Sequence, residues 1–190
     1  MSSSDLIRWG GLAAMLSGVA FIVIFLVGLV STEPIPGSFF DILGSVLFIV
    51  ALLLLLVGLA GFHTLQKTNS GRIGRAGFYT VIVSSAAQIL AQVVLLFGST
   101  ALVFLDFLGL LGVIIGFVLY GAATLQARVL PRWCGVGFIV GLPLWLFLSV
   151  VLGEYGVIGE MLFGLLWVAL GYALWSQSSG AAGERPSRVR

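Results

Sequence analysis

Six apolar stretches divide the chain, and the charged residues fall mostly between them. The stretches cover residues 9–30, 39–62, 77–98, 101–123, 134–153 and 157–175. Each is about 20 residues long, which as helix is enough to cross a hydrocarbon core about 30 Å thick. They are continuously apolar, whereas the strands of a membrane barrel alternate over about ten residues. The expected fold is therefore all-α: an integral membrane six-helix bundle, three consecutive helical hairpins over residues 1–176. After Gln177 the run Ser-Ser-Gly-Ala-Ala-Gly-Glu-Arg-Pro-Ser is small, polar and interrupted by proline. That composition predicts a disordered tail over residues 177–190.

Composition agrees with the pattern and charge adds an orientation. Apolar residues make up 60% of the chain and charged residues 8%, against about a quarter charged in soluble domains. The nine Lys and Arg residues all fall on one side of a six-span topology. They are Arg8, then Lys67, Arg72 and Arg75, then Arg128 and Arg132, and finally Arg185, Arg188 and Arg190. Because basic residues are retained on the cytoplasmic side during insertion, both termini are expected in the cytoplasm, with the bundle in the cell (inner) membrane. The three opposite connectors are short and carry only Glu33 and Glu154 as charges. The first stretch is long for a signal-peptide core and five more follow it, so it reads as a retained helix. The formal charge of +2 reflects loops beside anionic head groups, and no nucleic-acid partner is expected.

One cysteine, Cys134, and one histidine, His63, leave no intrachain disulfide and too few ligands for zinc or haem. No metal and no other cofactor is expected. Both residues lie at the basic ends of their helices, and an ordinary interfacial histidine and a small buried thiol account for them better than a nucleophile pair.

The hairpins echo one another. Odd helices open on a basic residue followed by small or aromatic ones, in Arg8-Trp9-Gly10-Gly11, Arg75-Ala76-Gly77 and Arg132-Trp133-Cys134-Gly135. Even helices open on an acid and then a glycine, at Asp41 and Gly44, Asp106 and Gly109, and Glu160 and Gly164. Unequal spacing makes the repeat imperfect, and its hairpins all run the same way, a parallel repeat about an axis along the membrane normal. Small residues at helical spacing mark close helix contacts: Gly10, Ala14 and Gly18; Gly58 and Gly61; Gly109, Gly112 and Gly116; Gly137 and Gly141. Pro143 falls inside the fifth stretch and removes a backbone bond there.

Polar side chains within the apolar stretches carry what chemistry there is. Asp106 lies inside the fourth stretch, where an ionised carboxylate costs about 2.5 kcal/mol or more at the bilayer centre. Helical spacing puts it in line with Gly109, Gly112, Gly116 and Tyr120, a face that turns into the bundle. The third stretch carries Thr80, Ser84 and Gln88 in a stripe, with Ser85 and Gln92 beside it. The candidate intramembrane polar site is therefore Asp106, Gln88, Gln92, Ser84 and Tyr120. Asp41 and Glu160, at the matching repeat positions, are candidate outer carboxylates forming a ring with Asp106. Simpler roles compete: acids in a first helical turn interact with the helix dipole, and polar side chains join helices at about 0.6 kcal/mol each.

Gly61-Phe-His-Thr-Leu-Gln66, Gly71-Arg-Ile-Gly-Arg-Ala-Gly77 and Leu130-Pro-Arg-Trp-Cys-Gly135 resemble segments of small bacterial membrane proteins of the domain-of-unknown-function type. The three-hairpin plan is also similar to that of the HdeD-like acid-resistance membrane proteins, in span count and glycine-rich helix starts. Neither resemblance implies an activity. Three functions from different classes fit the residues. The first is a non-enzymatic bundle that binds lipid or a membrane-protein partner, alone or as a homo-oligomer. The second is a solute or proton-coupled pathway using Asp106 and the polar face of the third helix. The third is an intramembrane enzyme on a lipid-like substrate, with two carboxylates as acid and base. The absence of a recognisable catalytic motif favours the first.

Overall fold

A computed structural model of the chain describes residues 3–30, 38–67, 69–153 and 158–183. They form α1 (Ser3–Val30), α2 (Phe39–Gln66), α3 (Gly71–Leu96), α4 (Val103–Ala127), α5 (Arg132–Leu152) and α6 (Ile158–Gly183). Each of the six is long and apolar enough to cross a membrane, and the described residues contain no strand. The all-α, six-span plan expected from the apolar stretches is the one observed. Connector residues 31–37 and 154–157, with Glu33 and Glu154, and tail residues 184–190 lie outside the described residues. α6 continues to Gly183, past the point at which the composition predicts the tail to begin.

Helix ends reach beyond the apolar stretches wherever backbone bonding carries them. The segment between the second and third apolar stretches, residues 63–76, contracts to a connector of residues 67–70, because α2 runs on to Gln66 and α3 already begins at Gly71. Asn69 and Ser70 both donate their N–H to the Gln66 carbonyl at 2.9 Å, and Gly71 takes φ +58°. Only a residue without a side chain enters that left-handed conformation at no cost, and it turns the chain straight into α3. Arg72 and Arg75 thereby become helical.

The helices follow one another around a closed ring, with α6 returning to α1 and α2 touching α6 across the interior. Neighbours are antiparallel, so the basic connectors gather at one end of the bundle and the first turns of α2, α4 and α6, with Asp41, Asp106 and Glu160, at the other. We call these the basic and acidic ends.

The tightest contacts are α3 with α4, α1 with α6 and α1 with α2, and in each of them small residues of both helices meet. A Cβ on Gly10 would lie 2.7 Å from the Gly61 Cα, one on Gly77 2.8 Å from the Gly116 carbonyl, and one on Gly171 2.7 Å from the Gly11 carbonyl. Only such residues let backbones approach this closely without a hydrophobic drive between helices. In α5–α6, by contrast, Gly137 and Gly141 both meet the side chain of Leu166, and the helices stay further apart. The three hairpins of the sequence repeat are thus not packed alike, and α1 pairs with α6 as intimately as with its own hairpin partner.

A cluster of rings fills the middle of the bundle. Phe138 packs against Phe62, Phe117, Tyr120 and Trp167 with centroids 5.2 to 6.0 Å apart, and Phe163 joins Trp167 to Phe21. All are buried. Trp167, placed deep by its sequence position, is core here, whereas Trp9 and Trp133 are exposed at the basic end, as interfacial tryptophans are.

Candidate functional site

The site is built from the α3–α4 contact upward. Gly109 lets Gln88 lie across α4: a Cβ there would be 2.6 Å from the Gln88 Cγ. Gln88 is only 5% exposed, and it borders a cavity near the acidic end. One turn on, Gln92 stands within hydrogen-bonding reach of the Asp106 carboxyl group. Asp106 is in the first turn of α4 and donates its N–H to the Leu102 carbonyl at 3.0 Å. Its Oδ1 is buried and has no hydrogen-bond partner. Across the ring, the first turn of α6 brings Glu160 to the same space.

This cavity, about 240 Å³, is lined by residues of all six helices. Its polar lining is Gln88, Gln92 and Asp106 from α3 and α4, with Glu160 opposite them on α6; the rest is apolar, with Phe21, Phe48, Leu52, Leu55, Trp145 and Phe163 prominent. Toward the acidic end it adjoins a wider hollow of about 450 Å³, which shares Ile24, Phe48, Gln92 and Glu160 and adds Asp41. There Ser38 caps α2 by accepting the Asp41 N–H at 3.3 Å. Toward the basic end the ring cluster forms a floor, and the crevice between Phe117, Phe138 and Trp167 has no room for a water molecule.

Four of the residues singled out in the sequence thus come together: Asp106, Gln88, Gln92 and Glu160. Asp41 borders the adjoining hollow instead. Ser84 faces Gly112 inside the α3–α4 contact, where it joins helices and does not line the cavity. Tyr120 shares the Asp106 face but stands 14 positions further along α4, about 21 Å away at 1.5 Å per residue. Helical periodicity orders faces, not depth, which is why it grouped them. The aromatic wall escaped the sequence reading for a different reason. Phe21, Phe48, Trp145 and Phe163 sit in stretches where lipid-facing and inward-facing positions are equally apolar.

The described residues contain six buried side-chain atoms without a hydrogen-bond partner: His63 Nδ1, Gln66 Nε2, Ser70 Oγ, Ser85 Oγ, Asp106 Oδ1 and Tyr120 Oη. Each such group costs about 1–3 kcal/mol when left dry. Gln66 is fully buried and accepts from the Thr124 hydroxyl at 3.1 Å through Oε1, which leaves only its amide nitrogen unused. His63 stacks on Phe78 at 4.0 Å.

Chemically, the cavity offers two carboxyl groups, two amides and no basic side chain among its described lining. Such a site recognises a cation or a strong hydrogen-bond donor attached to an apolar body. Among the described residues no group of three His, Cys, Asp or Glu side chains gathers to hold a metal ion. No family model, no curated protein and no solved structure matches the chain.

Proposed function

We propose that this protein is a membrane-embedded binding protein for small amphipathic cations, which enter the bundle at its acidic end. The observation that carries the reading is the cavity itself. Two carboxyl groups face apolar walls from six helices with no internal base to neutralise them. In a low-dielectric setting a pair of acids without a counter-ion favours taking up a cation or protons. The surrounding partner is the lipid bilayer, against which α1 to α6 present exposed apolar residues such as Val83, Phe97, Phe104 and Val150. Retention of the basic connectors on the cytoplasmic side directs the cavity toward the outer face of the cell membrane. A lipid amine and a free organic amine share the chemistry the site asks for.

The test is binding of radiolabelled hexylamine and hexanol to the protein in nanodiscs, corrected for partition into empty discs. Hexylamine is expected to bind saturably and hexanol at least tenfold more weakly. Each methylene added in shorter members of the amine series adds about 0.8 kcal/mol of burial. The double variant Asp106→Asn, Glu160→Gln is expected to lose at least tenfold in amine affinity. Equal binding of amine and alcohol, or full amine binding by the double variant, overturns the reading.

A further inference from the structure

All six unpartnered buried atoms belong to one side of the ring. His63 and Gln66 lie on α2, Ser85 on α3, Asp106 and Tyr120 on α4, and Ser70 in the turn between α2 and α3. On α1, α5 and α6 three serine hydroxyls are satisfied: Ser17 donates to the Ala51 carbonyl at 2.9 Å, Ser149 to Trp145 at 2.9 Å and Ser176 to Ala173 at 3.0 Å. Buried polar groups without protein partners are ordinarily served by internal water.

The register of α3 on α4 orders these atoms by depth. Gly109 lies opposite Gln88, Gly112 opposite Ser84, Gly116 opposite Val81, and Gly77 opposite Tyr120. Asp106 is therefore level with Gln92 at the acidic end. Ser85 follows about 10 Å further along α3, and the Tyr120 backbone about 12 Å beyond that, at 1.5 Å per residue. The Tyr120 ring leans back toward the start of α4, as helical side chains do, and shortens the second gap. The His63 ring centroid is 6.5 Å from that of Tyr120, and Gln66 lies beside Thr124 one turn on. Lys67 and Arg75 lie at this same basic end of the bundle. A few hydrogen-bond links of about 2.8 Å would span each gap. Val81, fully buried, lies between the levels of Ser85 and Tyr120 and is the apolar step along this line.

We infer that these atoms mark a water-bridged proton route joining the carboxylate cavity to the basic end of the bundle. A proton leaves the Asp106 carboxyl for the first water. Each later O–H bond breaks as the next forms, so Ser85 and Tyr120 give up one proton, take one and end unchanged. One proton emerges at the basic end for each that leaves Asp106, whose carboxylate is then the counter-ion for a bound cation. This exchange of cation for proton rests on the cation reading above; the route does not.

The experiment is proton flux into liposomes holding the purified protein and a trapped pH-sensitive dye, with the membrane potential clamped by potassium and valinomycin. Wild type is expected to exceed protein-free liposomes, and Tyr120→Phe and Ser85→Ala to lower that excess at least tenfold. Ser149→Ala, which removes a satisfied hydroxyl on α5, is expected to leave it unchanged. Wild-type flux equal to protein-free liposomes, or full flux in Tyr120→Phe and Ser85→Ala, overturns the route. A single monodisperse size-exclusion peak for each variant reports that it is folded, and hexylamine binding is measured on the same samples. Flux without amine binding removes the cation reading alone, and amine binding without flux removes the route alone.

Discussion

Gly44 and Gly116 both sit inside helices, yet an added methyl group meets opposite surroundings at the two. At Gly116 a Cβ would lie 2.7 Å from the Val81 Cγ2 and 2.9 Å from its backbone nitrogen, which cannot yield. At Gly44 it would meet nothing within 4 Å. Gly116→Ala is therefore expected to destabilise the protein by about 1–3 kcal/mol through overpacking. Gly44→Ala is expected to stabilise it by up to about 1 kcal/mol, the helix propensity difference. Unfolding in mixed micelles by added SDS measures both, and equal effects would mean that α3 and α4 do not touch at Gly116. In the sequence the two glycines look alike, because each follows an acid or another glycine at helical spacing. The polar residues were more legible. Gln88, Gln92, Asp106 and Glu160 stand out as polar positions at or within apolar stretches, and all four border the cavity. Ser85 was visible beside the polar stripe and Gln66 at the end of a motif, but that each has an atom without a partner was not, since missing partners are a property of packing and not of residue type.

At the scale of an element, α5 decides the shape of the apolar wall. Pro143 has no N–H to give to the Ile139 carbonyl, so α5 lacks one bond in its middle. Leu142, next to the proline, and Trp145, two residues beyond it, both line the cavity. Pro143→Ala restores the bond and draws the turn in, moving Trp145. Its expected signature is a three- to tenfold loss of hexylamine affinity with thermal stability unchanged or raised. Unchanged affinity would place the shape of the wall outside the influence of Pro143. The number of helices was legible because bilayer thickness fixes how long an apolar run must be. Their ends were not. α3 begins at Gly71, before Arg72 and Arg75, because the tight Gln66–Ser70 turn sets its start and hydropathy reports only the solvent around a residue. The pairing of α1 with α6 was equally hidden: the glycines of α1 were visible as a packing stripe, but their partners Gly164 and Gly171 are far away along the chain.

For the whole molecule, the closed ring gives each end of the bundle a distinct character, and the direction of any exchange depends on which end faces the cytoplasm. The basic end carries Arg8, Lys67, Arg72, Arg75, Arg128 and Arg132, while the two hollows lie toward the other. The cost of carrying Lys and Arg across the bilayer during insertion predicts a cytoplasmic basic end. Cys134 is fully buried, so its replacement by serine gives a background for single reporter cysteines. Ser99, between α3 and α4, and Asn69, between α2 and α3, are both exposed at opposite ends. In intact cells Ser99→Cys is expected to react with a membrane-impermeant maleimide and Asn69→Cys only after permeabilisation. The reverse pattern would turn the carboxylate cavity toward the cytoplasm. Cations would then be drawn from inside the cell and protons would leave the route on the outside, which makes the labelling experiment a test of direction as well as of topology.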